Sequence, residues 1–292
     1  MIIDVFPFLD EVDLAELRIK YLSNTVDAFV VSEFDHGFSG KKKEFKFLRV
    51  LDKLPQSLRR KVHYFPQEQR KFFSSPFEND RFQKDSISKI LTSLFLPNDA
   101  MIFGDLDEIP NRNEIIKLRY AESSIDFFHF AQINFLGFFN VAEVSHLIQS
   151  YAGEFSRVPE KKWLGSIYTK LKTLKTSSIT ELRDPSNKAF SYRISNGGWH
   201  FSFCGGENTS FEERFAAKMK FTAHQEFNNE ELLIKALGIL KEGKDPFNRK
   251  YFKTFGPIRF VKYPRFKVFD GLTHLPKELA ELCHYPKLIL EK

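Results

Sequence analysis

The chain has 292 residues, 42% apolar and 28% charged, the balance of a globular protein rather than a disordered or fibrous one. Its formal net charge of +6 favours polyanionic ligands or contact with an anionic membrane surface, but is too small to name either, and no nucleic-acid partner is expected. Cys204 and Cys283 are the only cysteines, which excludes a cysteine-built metal site and suggests free thiols in a reducing compartment. No run approaches the ~18–20 apolar residues of a spanning helix. The 34 phenylalanines imply a bulky aromatic core or an aromatic surface patch.

Ile2 to Phe6 reads as a buried strand that opens the chain directly, without the basic and apolar regions of a secretory leader. Asp10 to Leu22 carries Val12, Leu14, Leu17, Ile19 and Leu22 at roughly helical spacing, and Val26 to Phe34 is a second strand rich in β-branched and aromatic residues. Together they make one βαβ unit, the start of a parallel sheet. A third strand is expected at Lys61 to Phe65 and an amphipathic helix at Asp80 to Leu96, followed by a buried strand over 100–104. Residues 125–140 read as one or two aromatic strands with a turn. The basic stretch Lys170 to Asn187 reads as exposed loops near an acceptor. A strand is expected to leave a tight glycine turn at Gly197-Gly198, and helices are expected over Phe211 to Phe221 and Asn229 to Leu240. Pro257, Pro264, Pro276 and Pro286 break the basic, aromatic C-terminal end into short pieces. No repeat or linker is evident, so one domain is expected: a core unit over 1–245 with 246–292 packed onto it.

The most informative segment is Asp105-Leu106-Asp107-Glu108-Ile109-Pro110, which follows the apolar run Ala100 to Phe103. Open α/β sheets place their ligands beyond the carboxyl ends of strands. Three carboxylates gathered there repel one another unless a cation lies among them. Hard oxygen ligands suit Mg²⁺ or Mn²⁺ shared with a substrate phosphate. The plain alternative is a solvated turn with Asp107 or Asn111 as a helix N-cap. A second cluster surrounds His200, where Gly205 and Gly206 would let backbone approach phosphates. His200 is a candidate metal ligand with Asp105 and Asp107, and Lys218 a candidate phosphate contact. Glu207 is the first candidate general base, with Glu108 and Glu226 behind it; His224 beside Glu226 could bind metal or simply cap a helix. Lys41-Lys42-Lys43 reads as a solvated loop that could meet phosphate or a lipid head group.

Three segments in order, 4–34, GDLDEIP (104–110) and GGWHFSFCGG (197–206), resemble glycosyltransferase family 17. The matching positions are Asp4, Glu11, Asp13, Leu14 and Arg18, then Asp105 to Pro110, then Gly198 to Ser202 and Lys218. The resemblance covers about residues 1–245. It implies a GT-A-type α/β fold, with a Rossmann-like, mostly parallel sheet flanked by helices. It also implies a nucleotide-sugar donor (UDP-GlcNAc in eukaryotic members), a divalent metal and inversion at the anomeric carbon. The acceptor expected is a glycan or glycolipid, in bacterial or viral surface-polysaccharide synthesis, on a cytoplasmic protein that visits the inner membrane face. In that reading Asp107 binds the metal, Asp105 contacts the metal or the ribose, His200 is a further ligand, and Glu33 and Arg81 line the nucleotide pocket. The competing readings are a nucleotidyltransferase using the same acidic site and a non-catalytic glycan-binding module.

Overall fold

Val, Ile and Phe runs pair in parallel to begin the sheet: β1 (Ile2–Phe8), β2 (Ala28–Phe34), β3 (Val62–Gln67) and β4 (Ala100–Phe103) stand in the order β3-β2-β1-β4. The computed structural model describes residues 1–121, 127–149, 155–159, 163–184, 192–205, 209–247, 251–255, 258–283, 287 and 289–291. Between the parallel strands lie α1 (Val12–Leu22), α2 (Phe47–Lys53), α3 (Gln56–Arg59) and α4 (Pro76–Leu94). After β4 the chain forms the short β5 (Glu108–Pro110) and α5 (Arg112–Tyr120), whose N-cap Asn111 accepts from the Asn113 amide. Then come β6 (Phe127–Leu136), β7 (Val141–Gln149), β8 (Phe155–Pro159), β9 (Trp163–Lys170), α6 (Ile179–Arg183) and β10 (Tyr192–Ser202). The end of the chain adds α7 (Phe211–Phe221), α8 (Glu230–Lys241), β11 (Tyr251–Phe255), β12 (Ile258–Val268) and α9 (Lys277–Ala280).

The twelve strands of the described residues belong to one mixed sheet, with main order β11-β12-β7-β6-β9-β4-β1-β2-β3. The parallel half ends at β4, where β9 pairs antiparallel. β10 joins parallel to β6 and antiparallel to β5, which places the Gly-Trp-His segment against the acidic turn. The expected α/β fold with its early parallel strands is present, and its second half is largely antiparallel.

Alternation along the strands divides the core. Phe6, Phe29 and Val31 face α1, through Leu14 and Leu17, while Ile3, Val5, Val30, Met101 and Phe103 face Ile87 and Leu91 of α4. A third cluster joins α7 and α8, where Phe203 and Phe247 stack around Phe215. The phenylalanine excess is thus largely core, as 1–5% exposed or less at Phe6, Phe103, Phe135, Phe138 and Phe211.

Three local expectations are corrected. The basic stretch from Lys170 to Asp184 is ordered, not a loop: a 3₁₀ turn (Leu171–Lys175) and α6 bury Leu171 and Ile179 against α4's face of the sheet. A capping box between Ser178 and Glu181 starts α6, so its helical signal lay in the cap and two apolar anchors rather than in composition. Gly197 and Gly198 do not form a turn but lie inside β10, at a register shift against β6 between Ile194 and Gly198. Pro264 lies within the eleven-residue β12, opposite His146 of β7 and beyond Lys262, where the pairing with β11 ends.

The C-terminal end is tied to the sheet. Asn140 Nδ2 donates to the carbonyls of Phe269 (3.0 Å) and Leu290 (2.9 Å), and its Oδ1 accepts from Leu290 N (2.8 Å). Cys204 and Cys283 are free and buried, and burial pushes both thiols up, Cys283 to about 12. Among the described residues, no helix is long and apolar enough to cross a membrane.

Gly198 adopts φ +123°, and a Cβ there would lie 2.2 Å from Ile109 O. Gly198→Ala should therefore strain the β5–β10 ladder and cost about 1–3 kcal/mol, read as a lower urea midpoint. A variant as stable as the parent would show that the ladder can shift to accept a side chain.

Candidate active site

The acidic turn is shaped from beneath by Arg18 on α1. The Arg18 guanidinium is fully buried and meets Asp4 of β1 in a two-pronged pair, Nε to Oδ2 at 2.8 Å and Nη2 to Oδ1 at 2.7 Å. Its Nη1 donates to the carbonyls of Asp105 (2.8 Å), Leu106 (3.3 Å) and Glu108 (2.9 Å). From above, β10 holds the same turn: Phe201 N donates to Asp107 O at 2.7 Å, and His200 pairs with Glu108 in the ladder. The turn's backbone is thereby fixed and its three carboxylates are presented to different surroundings.

Asp105 turns toward α4 and α6. Arg183 grips it with Nη1 to Oδ1 at 3.0 Å and Nη2 to Oδ2 at 3.2 Å, and Lys84 Nζ lies 2.8 Å from Oδ1. Burial pushes the Asp105 pKa up, but Arg183 and then Lys84 outweigh it and hold the group well below the usual carboxylate range. Lys84 also pairs with Asp80 at 2.9 Å. Glu108 is fully buried, and each of its oxygens has a donor besides the Arg183 guanidinium: Trp163 Nε1 to Oε1 at 2.7 Å and the Asp105 amide to Oε2 at 2.8 Å. Desolvation still dominates there, and the Glu108 carboxyl is pushed up.

Asp107 turns the other way. Lys218 Nζ on α7 is 2.8 Å from its Oδ2 and 3.1 Å from Glu11 at the N-cap of α1. His200 Nε2 approaches Oδ1 at 3.7 Å, with Nδ1 buried and unpartnered. Burial opposes ionisation of Asp107, yet Lys218 and then His200 hold its pKa far below the usual range. The same partners keep Lys218 charged: burial lowers its pKa, but Asp107 and Glu11 raise it further. Beside Lys218 opens a cleft of about 250 Å³ lined by Leu9, Asp10, Glu11, Lys46, Gly205 and Thr209, among others. Gly205 has no room for a side chain, since a Cβ would sit 2.4 Å from Glu11 Cβ.

The structure thus brings together Asp107, His200, Lys218 and Gly205, and sets Asp105 and Glu108 in an adjoining ion network. Other candidates lie elsewhere. Glu33 is fully buried and its oxygens accept from Lys43 Nζ (2.5 Å), Lys46 N (2.8 Å), Phe47 N (3.0 Å) and Tyr64 OH (2.8 Å), so it anchors the loop before α2 rather than facing the cleft. Arg81 is exposed on α4; Lys84, three residues on, reaches the acidic turn instead. Glu226 is exposed and bonded to His224 at 2.8 Å, beside Phe77. Gly206 and Glu207 lie outside the described residues. Sequence reading missed Lys84, Arg183 and Trp163. Lys84 was findable, because it precedes Ile87 and Leu91 by three and seven residues and so falls on the apolar stripe of α4. Arg183 and Trp163 carry no comparable signal.

Among the described residues, no three His, Cys, Asp or Glu side chains gather as a closed metal cage. Both oxygens of Asp105 are engaged by Arg183, which removes it from the expected ligand set as the site stands. Asp107 and His200 do fit an open site: a carboxylate oxygen and an imidazole nitrogen converge, and the remaining positions would fall to phosphate oxygens and water.

The sequence model of glycosyltransferase family 17 matches residues 1–241. No curated protein sequence matches. Among solved structures the chain is similar to one described as "Crystal structure of 4-diphosphocytidyl-2C-methyl-D-erythritol synthase", at 12% identity over 67% of this chain and 88% of that one, with a TM-score of 0.39. A likeness that distant carries no argument about this chain's chemistry.

Arg18→Met should cost about 3–5 kcal/mol, because it leaves the Asp4 carboxylate buried without its charged partner and takes one donor from each turn carbonyl. Denaturant unfolding checks this; a loss below ~1 kcal/mol would mean that the turn does not depend on Arg18.

Proposed function

The chain belongs to glycosyltransferase family 17 and is a transferase enzyme, and on that premise we propose that it moves a sugar, with inversion, from a nucleoside-diphosphate donor to a glycan or glycolipid acceptor. The observation that carries this reading is the position of Asp107. One of its oxygens faces Lys218 and the cleft, the other faces His200. UDP-GlcNAc is the donor to test first, since the motifs in 104–110 and 197–206 are those through which the sequence resembles the family.

The charge count supports a diphosphate site with a divalent cation, Mn²⁺ or Mg²⁺. Asp80, Asp105, Asp107, Glu108 and Glu11 face Lys84, Arg183 and Lys218, five carboxylates against three cations. Asp107 and His200 would hold the ion. When bound, it would supply positive charge to the leaving diphosphate, so that no general acid is required. Lys218 is placed to exchange its pairing with Asp107 for a phosphate oxygen, keeping Glu11 as its second partner. The cleft walls supply backbone and polar groups: Gly205 allows close approach, and Thr209, Asp10 and Lys46 ring the opening. Asp105 and Glu108, with Arg183 and Lys84, hold the turn so that Asp107 keeps its aim.

Asp107→Asn tests the reading. In the parent, UDP-GlcNAc with Mn²⁺ at 100 times its dissociation constant should stabilise the protein by about 2.7 kcal/mol, a shift of several degrees. The variant should keep its circular dichroism spectrum, lose the Mn²⁺-dependent part of that shift, and transfer sugar at least ~10³-fold more slowly. Transfer at the parent rate, or a shift insensitive to both EDTA and the substitution, would overturn the assignment.

A further inference from the structure

The four parallel strands send their carboxyl ends to one edge of the sheet, so the loops after β1, β2, β3 and β4 emerge together. The loops after β1 and β4 carry the cleft and the acidic turn. Those after β2 and β3, with the first turns of α2 and α4, carry exposed apolar side chains: Phe45 is 39%, Leu48 56%, Phe72 52% and Phe77 51% exposed. These are not a spillover of phenylalanine-rich composition, because neighbouring rings are sorted. Phe47 is fully buried on Phe8 while Phe45 stays exposed, and Phe73 packs on Phe82 of α4 while Phe72 stays exposed.

The frame that presents them is braced. Buried Asn79 of α4 accepts from Phe73 N at 3.0 Å and donates to the carbonyls of Phe38 (3.1 Å) and Phe73 (3.3 Å). Gln69 N donates to Asp35 Oδ1 at 2.8 Å, His36 meets Phe72 edge-on at 4.8 Å, and an isolated bridge pairs His36 with Lys42. Ser39 is bonded to the end of α7 through Phe221 O (3.2 Å) and Lys220 O (2.8 Å), and Phe77 lies against His224. One continuous rim therefore runs from α2 past Lys42 and Phe72 to Phe77. Its charge is one-sided. Lys41, Lys42, Lys71, Lys220 and Arg81 are exposed along it, the last one turn from Phe77 on α4. The exposed carboxylates Glu44 and Glu78 are fewer, while Glu68 is held by Arg70 at 3.2 Å and Glu226 by His224 at 2.8 Å. A protein partner wants a contiguous apolar patch to pack against. Separate apolar tips set among lysines suit instead a soft surface that admits rings and offers anionic head groups.

We propose that this rim docks the protein on an anionic lipid bilayer, with Phe45, Leu48, Phe72 and Phe77 entering the head-group region and the lysines meeting lipid phosphates. The docking stands on the rim alone; its use, bringing the cleft to a glycolipid acceptor, rests on the glycosyltransferase reading. Rim and site adjoin. Lys46, two residues before Leu48, lines the cleft. Lys84 lies over the Phe38 ring at 5.7 Å and reaches Asp105 at 2.8 Å.

Co-sedimentation with vesicles tests the proposal. The protein should bind phosphatidylcholine vesicles containing about 25% phosphatidylglycerol at least ~10-fold more tightly than phosphatidylcholine alone, and should leave them as salt rises from about 0.1 to about 0.5 M. Lys41→Gln with Lys42→Gln should weaken that binding about 30-fold. Phe72→Ser with Phe77→Ser should weaken it about tenfold or more. All four side chains are exposed, so both double variants should keep the parent's circular dichroism spectrum and its Mn²⁺-dependent thermal shift with UDP-GlcNAc. Equal binding to the two vesicle types, parent-like binding by either double variant, or no vesicle binding overturns the proposal. Capture of soluble polyaspartate without vesicle binding would place an acidic polypeptide on the rim and overturn it as well. Vesicle binding by a protein that gives no thermal shift with any nucleotide sugar would support the docking surface and remove the transferase reading; a shift without vesicle binding would do the reverse.

Discussion

Arg18 is the interaction on which the site depends. A buried guanidinium with one carboxylate partner still has donors to spare, and here they reach the carbonyls of a turn nearly ninety residues away in sequence. Asp105 O also accepts from the Glu108 amide and Glu108 O from Ser166 Oγ, and Arg18 ties these local bonds to α1 where the chain leaves the parallel half to join β10. Asp4 in turn is tolerable inside a buried strand only because Arg18 answers both its oxygens. A pair of this kind adds little net stability over an apolar equivalent; what it supplies is a fixed shape for a turn that must carry charge.

That shape separates like charges that would otherwise crowd one another. Residues two apart on an extended segment would share a face, but the chain turns at Leu106–Asp107, so Asp107 is directed to α7 and β10 while Asp105 is directed to α4 and α6. Each side then has its own cations. Arg183 serves two carboxylates at once, with a planar fork that a lysine could not reproduce. The result is an inner network that is closed and an outer carboxylate that is strongly ionised, held by only one lysine and one imidazole. The closed part is scaffold; the open part leaves Asp107 and Lys218 beside the cleft.

The sequence made much of this legible and some of it not. The βαβ opening, α4, the strand before the acidic turn and the helices α7 and α8 follow from apolar period and caps, and the observed ends differ by a few residues. The acidic triplet at a strand end, His200 and Lys218 were visible because their residue types are costly to place beside buried strands without a purpose. Glu33 was misplaced for the same reason: a carboxylate at the end of a parallel strand looks like a ligand, and only the fold shows Lys43, Tyr64 and two amides saturating it. Arg183 was hidden in a lysine-rich stretch whose composition reads as loop. Its role exists only through tertiary contact, which no local pattern encodes. The glycines of β10 were read as a turn because a single sequence cannot show that another strand's backbone passes within contact distance.

The change from parallel to antiparallel pairing sets Asp107 between two different surroundings. Parallel strands all end at one edge, so their loops form a single cleft there, and the Leu9–Glu11 corner of β1 lines it. Had the sheet stayed parallel, the next strands would be covered by crossover helices on both faces, leaving no polar strand face near the turn. Antiparallel β9, β7 and the re-entrant β10 need no such helices between them, and their pairing sets the polar residues Gln132 and Asn134 beside the Gly198–His200 segment. Asp107 lies at this boundary, with Lys218 on the cleft side and His200 on the strand-face side.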